Sequence, residues 1–457
     1  MLIPENLCNS SESCPARPRI VKPAGNNGGV TNGPVPCPRR RLTVRTVART
    51  LWHVRRPPSQ PLVVLALVVA TACDAAPAPR ATEPEGGTIA PSSAVESPVP
   101  VPGHELYGYL PYWELDEGID AHLAETPLTT LALFSVTHTS RGGINTKEPG
   151  YRAIAGDLGR RLIEEAHERG TRVELVYTSF GDRRNTRLFE DPARQEAIIA
   201  SLVALVDETG TDGINVDVES LDPALIPAFG AFVGRLRDAV LAADDDATVS
   251  VATGGGPTGA AMARAAAEAG ADRIFLMGYD YRVASSSPGA SAPLDRSDGG
   301  QRSLRWSLDL YQALGVPAER LLLGLPLYGL TWPVAGPVIG APETGRGDHW
   351  IPSEHRDILG DDGIEPTRDD VEQVDVYLRA SDGTWGAPTP DASVDPADLQ
   401  RTWNAIYVDS PDTLALKLRL ANDRGLAGGG FWAIGYERDL PGYRELMEAF
   451  GGGDALP

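Results

Sequence analysis

From residue 104 onward the chain repeats one rhythm: a short β-branched apolar run, then a stretch rich in Ala, Leu, Arg and Glu. The apolar runs are 105–110, 130–136, 172–177, 213–219, 248–253, 273–279, 321–327 and 429–433. The stretches 157–169, 192–208, 223–243, 257–269, 303–314 and 411–424 have helical composition, and Ser410 is placed to cap the last of them. Strand-like runs that alternate with helices specify a parallel α/β architecture. Eight of them favour a closed (β/α)8 TIM barrel over an open sheet, spanning residues 104–450. One connection breaks the rhythm. About 100 residues separate Leu327 from Gly429, far more than a βα loop needs. Trp350, Tyr377 and Trp385 supply core material there, with a strand-like piece at 373–378 and a turn at 381–383. A small α+β insertion over residues 333–403, between barrel strands seven and eight, is therefore expected.

The fourth run, residues 213–219, is unlike the others. Alternate residues of a strand share a face. Ile214, Val216 and Val218 make one apolar face, suited to packing against the helix layer. Asn215, Asp217 and Glu219 make the other, directed into the barrel. Three polar side chains in a row toward an interior are costly unless they are hydrogen-bonded. Such a row near the C-terminal mouth of a barrel strand is where these folds keep their chemistry. Crowded carboxylates also raise one another's pKa, which is what a general acid requires. A solvated polar face would be the reading for an isolated Asp-x-Glu, but the purely β-branched outer face argues against it here.

The run 212–219, Asp-Gly-Ile-Asn-Val-Asp-Val-Glu, resembles the Asp-x-x-Asp-x-Asp-x-Glu signature of family 18 glycoside hydrolases, the chitinase family. Residues 276–281, Leu-Met-Gly-Tyr-Asp-Tyr, resemble its strand-six segment, and 428–435, Gly-Gly-Gly-Phe-Trp-Ala-Ile-Gly, its strand-eight segment. Weaker likenesses lie at 108–113, 251–256 and 323–332, and the set occurs in the family's order. The resemblance implies substrate-assisted hydrolysis with retention, an exception to the two-carboxylate scheme. On that basis Glu219 protonates the glycosidic oxygen. Asp217 orients the substrate's 2-acetamido group, whose carbonyl oxygen attacks, and offsets the developing positive charge. Tyr279 donates to the acetamido oxygen. Met277 and Asp280 line the same subsite, and Trp432 forms its floor. Tyr109, Trp113 and Trp332 are candidates for further sugar contacts or for packing. Asp212 and Gly213 belong to the motif's framework. Gly254, Gly255 and Gly256 suit a tight strand-to-helix turn.

Position 215 departs from the signature, which has Asp there. Asn215 is expected to hydrogen-bond Asp217 without taking a charge, making Asp217 easier to ionise. Asn is shared with the branch that resembles spore-cortex-lytic glucosaminidases. The resemblance thus implies a partner that is an N-acetylglucosamine polysaccharide or oligosaccharide, with chitin ahead of peptidoglycan. A chitin lectin without turnover is the alternative from another class, against which the presence of Glu219, Asp217 and Tyr279 speaks.

Charge and cysteine usage bound the rest. Of 41 basic and 62 acidic residues, ten and two lie in residues 1–73, so the remainder carries a formal charge of −29. That surface repels nucleic acid and anionic lipid and suits a neutral polymer, while acidity that serves only to keep the protein soluble is the plainer reading. The seven histidines show no metal-binding spacing, so neither metal nor cofactor is expected. All four cysteines fall in the first 73 residues, which leaves the body without disulfides. Residues 61–72 form an apolar run after Arg55 and Arg56, too short to span a bilayer and of the length of a signal-peptide core. The Ala-Thr-Ala before Cys73 resembles a lipobox, so an exported protein with lipidated Cys73 is expected, touching membrane only through that anchor; the same Ala-x-Ala would also serve ordinary signal peptidase, which gives a freely secreted protein as the alternative. Residues 1–54 have no foldable pattern and are consistent with a start codon set too far upstream. Residues 74–103 read as a disordered tether. A monomer is expected.

Overall fold

The structure, a computed structural model, describes residues 103–360, 363–386 and 400–456. The apolar run 61–72, Cys73 and the tether up to residue 102 lie outside the described residues, as does part of the expected insertion. No helix among the described residues is long and apolar enough to cross a membrane.

The expected barrel is present. Eight parallel strands close on themselves: β1 (Glu105–Pro111), β2 (Thr130–Thr137), β3 (Arg172–Phe180), β4 (Gly213–Glu219), β5 (Thr248–Gly254), β6 (Arg273–Met277), β7 (Leu321–Pro326) and β14 (Gly428–Trp432), which pairs with both β7 and β1. Helices such as Pro192–Thr209, Ile226–Ala243 and Pro257–Glu268 cover the outside. Their starts follow local chemistry. Ser303 accepts from the Trp306 amide and Ser410 from the Thr413 amide, and Pro411 supplies a helix-compatible first residue. Strand six is shorter than its apolar run. It stops at Met277 because Asp280 takes a left-handed backbone conformation, φ 57°, that ends the ladder.

Between β7 and β14 the chain builds a second, antiparallel sheet from β8 (Gly329–Val334), β9 (Asp348–Trp350), β10 (Thr367–Asp369), β11 (Val374–Ala380), β12 (Trp385–Gly386) and β13 (Trp403–Val408). Its path is β10-β11-β13-β8-β9, with β12 beside β11. This sheet begins at Gly329 and ends at Val408, wider than residues 333–403. Backbone bonds fasten it to the barrel loops: Gly347 N–H to Ala284 O at 2.8 Å, Leu294 N–H to Glu372 O at 2.9 Å and Ser353 N–H to Tyr436 O at 2.8 Å.

Large rings fill the barrel's interior, and glycines opposite make room for them. Phe275 meets Tyr109 edge-on at 4.8 Å and Tyr107 at 5.6 Å between ring centres. A methyl group on Gly324 would stand 2.2 Å from the Phe275 ring, and one on Gly430 2.7 Å from it. Neither clash can relax outward through a closed sheet. Gly324→Ala is expected to cost about 1–3 kcal/mol, as overpacked cores do. A denaturation midpoint equal to wild type would show that Phe275 can move aside.

Candidate active site

On β4 the alternation seen in the sequence is the alternation in space. Ile214, Val216 and Val218 are buried in the apolar core, and Asn215, Asp217 and Glu219 share the opposite face. Asn215 and Asp217 are buried and Glu219 is half-buried at the strand's end, where the next residue, Ser220, has φ 61°. Asn215 does not make the expected bond to Asp217. Its Nδ2 donates to Ser250 Oγ on β5 at 2.7 Å. The register sets Asn215 directly beside Ser250, whereas Asp217 lies one pleat further along its own strand. Asn215 Oδ1, Asp217 Oδ1 and Tyr109 Oη are all buried with no hydrogen-bond partner among the described residues. Buried polar atoms are usually paired in folded proteins, so three such atoms in one interior make this a polar pocket with unused hydrogen-bonding capacity.

The loop after β6 carries Tyr279 and Asp280. Tyr328, which follows β7, donates its hydroxyl to Asp280 Oδ1, and Ser291 Oγ takes the Asp280 amide at 3.0 Å. Ser291 and Tyr328 are themselves 2.9 Å apart, and the Tyr328 ring meets Tyr279 edge-on at 6.3 Å. This clamp holds Asp280 in its left-handed conformation, a strain that functional sites retain when the surroundings enforce it. Two residues on, Arg282 donates to Glu372 in the inserted sheet's β10–β11 turn at 2.6 Å. Glu372 also accepts from Ala290 N at 2.9 Å and from Ser297 Oγ at 2.7 Å. The insertion thereby pins the loop that presents Tyr279.

Aromatic rings form the wall at the mouth. Trp432 is 4% exposed and lies edge-on to Phe134 at 4.8 Å, with Tyr109 at 5.7 Å and Trp113 at 6.3 Å. Trp113 is 36% exposed and donates through Nε1 to Tyr436 Oη at 3.1 Å. Met277 is half-buried at the end of β6. Trp332 is not part of this wall. It is wholly buried on β8, edge-on to Tyr407 at 5.9 Å, because the segment after β7 joins the inserted sheet. Asp212 and Gly213 are framework. Asp212 Oδ2 accepts from Val173 N at 2.6 Å and His167 Nε2 at 2.8 Å, and a methyl group on Gly213 would meet Thr248 O at 2.2 Å. The glycines at 254–256 have no positive φ; Gly255 is instead crowded by Tyr281 Oη, 2.6 Å from where its Cβ would be.

The electrostatics follow from burial. Burial pushes the Asp217 carboxyl well above the usual range, and the charge of Glu219 adds to it. Burial also raises Glu219, with the charge of Asp280 in the same direction. Burial and the neighbouring phenols and carboxylates keep Tyr279 a phenol. The site can therefore offer a carboxylic acid proton from Glu219, a phenolic donor from Tyr279 and a second carboxyl beneath them. Sequence reasoning missed Tyr328, Ser291, Phe134 and the Arg282–Glu372 pair. Tyr328 lies within the segment 323–332 but has no partner nearby in sequence.

The chain matches the family model of glycosyl hydrolases family 18 over residues 107–437. It is 27% identical to an oviduct-specific glycoprotein of Bos taurus over 248 residues, which is 50% of this chain and 46% of the relative. It thus spans under half of that relative's length. Among solved structures, the spore cortex-lytic enzyme SleL of Bacillus cereus superposes with a TM-score of 0.57 at 16% identity, covering 76% of this chain and 74% of that one. A class V chitinase from Nicotiana tobaccum superposes with a TM-score of 0.61 at 18% identity, covering 76% and 99%. These likenesses concern the fold, and the family model covers most of the barrel, with the three polar positions of β4 and the β6 loop inside the matched span. This chain belongs to the glycosyl hydrolases of family 18.

Proposed function

We propose that the chain hydrolyses the β-1,4 bond of N-acetylglucosamine-containing polymers with retention, using the substrate's own acetamido group. The observation that carries this reading is the inner face of β4. It sets Asp217 and Glu219 on one row, both with raised pKa, with the Tyr279 phenol near enough to Asp217 to feel its charge and the Trp432 ring packed on Tyr109 at the mouth. Glu219 gives its proton to the leaving oxygen. The acetamido carbonyl attacks the anomeric carbon, Asp217 orients the acetamido N–H, and Tyr279 donates to its oxygen. Water then opens the oxazolinium ion, and Glu219 takes the proton back. Two inversions at one carbon give net retention. The first product seen by proton NMR of a fresh digest should be the β-anomer, and a substrate without the acetyl groups should resist cleavage. An α-anomer product, or equal cleavage of the deacetylated polymer, would rule the mechanism out.

Chitin or chito-oligosaccharide is the first choice of polymer. The formal charge of −29 after Cys73 favours a neutral glycan over a charged wall polymer. Peptidoglycan is the second reading. It is supported by Asn215 and by the likeness to a structure described as a spore cortex-lytic enzyme. Digestion of purified peptidoglycan and chito-oligosaccharides side by side, with products identified by mass, separates the two.

A further inference from the structure

A carboxylate that the reaction does not use lies under the site. Glu174 is the third residue of β3, 2% exposed, and points into the barrel from below Asn215. Three hydroxyls converge on it. Tyr107 donates to Oε2 at 2.6 Å, Thr248 donates to Oε1 at 2.7 Å, and Ser250 donates to Oε2. Burial raises its pKa, while these three donors pull the other way. A serine hydroxyl has one proton. With that proton given to Glu174, Ser250 Oγ can only accept, and the group that donates to it is the Asn215 amide nitrogen at 2.7 Å. The amide nitrogen is thereby committed to the lower layer. The amide carbonyl is left with no partner among the described residues, in the same interior as the unpartnered Asp217 Oδ1.

We propose that Glu174 is a positioning residue which, acting through Ser250, holds the Asn215 side chain with its carbonyl rather than its N–H available to Asp217. The consequence reverses the expectation from sequence. A donor beside Asp217 would ease its ionisation. An acceptor beside it repels the carboxylate and favours a proton on Asp217, with the Tyr109 hydroxyl as the other donor near the Asn215 amide. Asn215 then does what a protonated neighbour could not. It favours the protonated form of Asp217 in the free protein, alongside burial and the charge of Glu219. This rests on the reading of Asp217 as the residue that orients the acetamido group. Other groups act on the same carboxyl. Glu219 faces it from β4, Tyr109 from β1, and Tyr279 from the loop after β6, with Asp280 next to Tyr279. Glu174 is faced by Tyr107 and Glu105 from β1, and Glu105 is paired with Arg273.

The test reads the proton on Asp217 directly. The full chain is labelled with carbon-13 at the aspartate carboxyls, and the Asp217 signal is assigned by its loss in Asp217→Asn. In Glu174→Gln the new amide can donate to Ser250 Oγ. The serine proton then turns to the Asn215 carbonyl, and the Asn215 N–H turns towards Asp217. Asp217 should bind its proton about tenfold more weakly than in wild type. Ser250→Ala keeps the Glu174 charge and cuts the link, so it should move Asp217 in the same direction. Neither change should move Asp217 in an Asn215→Ala background, where the intermediary is gone. Unchanged Asp217 titration in the two single variants overturns the proposal. So does a shift of equal size without Asn215, which would mean that the Glu174 charge acts directly. If Glu174→Gln does not fold, Ser250→Ala and its Asn215→Ala counterpart decide alone. The titration needs no turnover, whereas failure of the proposed reaction shows separately, as a wild-type protein inactive on both polymers.

Discussion

Glu219→Gln should lower kcat on N-acetylglucosamine oligomers by about 10²–10⁴-fold, the range expected when a general acid is removed. The substitution is nearly isosteric and keeps a polar group at the end of β4. It removes only the ionisable proton. The buried surroundings that raise the Glu219 pKa hold that proton ready to give. An amide has no proton to give at any working pH. Affinity for the oligomer should change little, because the contacts of Trp432, Tyr279 and Asp217 remain. Calorimetric binding beside steady-state rates separates the two effects. Turnover by the variant at the wild-type rate would remove Glu219 from the mechanism. Binding by wild type with no product formed would instead make the chain a lectin.

Glu372→Ala should be the most damaging change outside the catalytic row. Arg282 and Glu372 are both buried, and removing Glu372 leaves the Arg282 charge with only the part-exposed Asp298 at 3.3 Å, against a cost of about 3–5 kcal/mol for a buried charge with no partner at all. The loss goes beyond the ion pair, since the Ala290 amide and the Ser297 hydroxyl would lose their acceptor too. Because the pair anchors the loop carrying Tyr279 and Asp280, KM should rise and kcat should fall alongside stability. The pH dependence has a fixed sign. Burial alone would raise the Glu372 pKa, but Arg282 and the other donors outweigh it and leave it lowered from 4.5. The stabilisation is therefore fully present above about pH 4.5 and is lost as pH falls through the lower folded value. Unfolding midpoints of wild type and variant should differ most near neutrality and converge in acid. A gap that stays constant down to pH 3, or a variant as stable as wild type, would show that the pair does not hold the loop.

The barrel was legible because burial on both faces of a parallel strand demands β-branched runs, and eight such runs stand out in the sequence. The candidate row was legible because alternation on residues 214–219 separates three polar from three apolar side chains without any tertiary information. What stayed hidden depends on contacts across strands. Glu174 sits inside a run that reads as apolar, and its partners Tyr107, Thr248 and Ser250 are 67, 74 and 76 positions away. The direction of the Asn215 amide is set by Ser250 on the next strand, so the sequence suggested the wrong partner. In the sequence Trp332 fitted a sugar contact and a packing role equally well. Its fate was decided by the inserted sheet, whose strands pair over intervals no local pattern reveals. The Arg282–Glu372 pair, 90 positions apart, is hidden for the same reason.

The closed barrel leaves no strand unpaired, and the inserted sheet's path ends on β9 and β10, each of three residues. Exposed strand edges are templates on which a second molecule can add its own strand, and short edges are one way proteins blunt them. An edge of three residues offers so few backbone groups that a neighbouring copy gains little by zipping onto it. Among the described residues, the chain thus carries an extra β-sheet beside its barrel while presenting little that could seed aggregation.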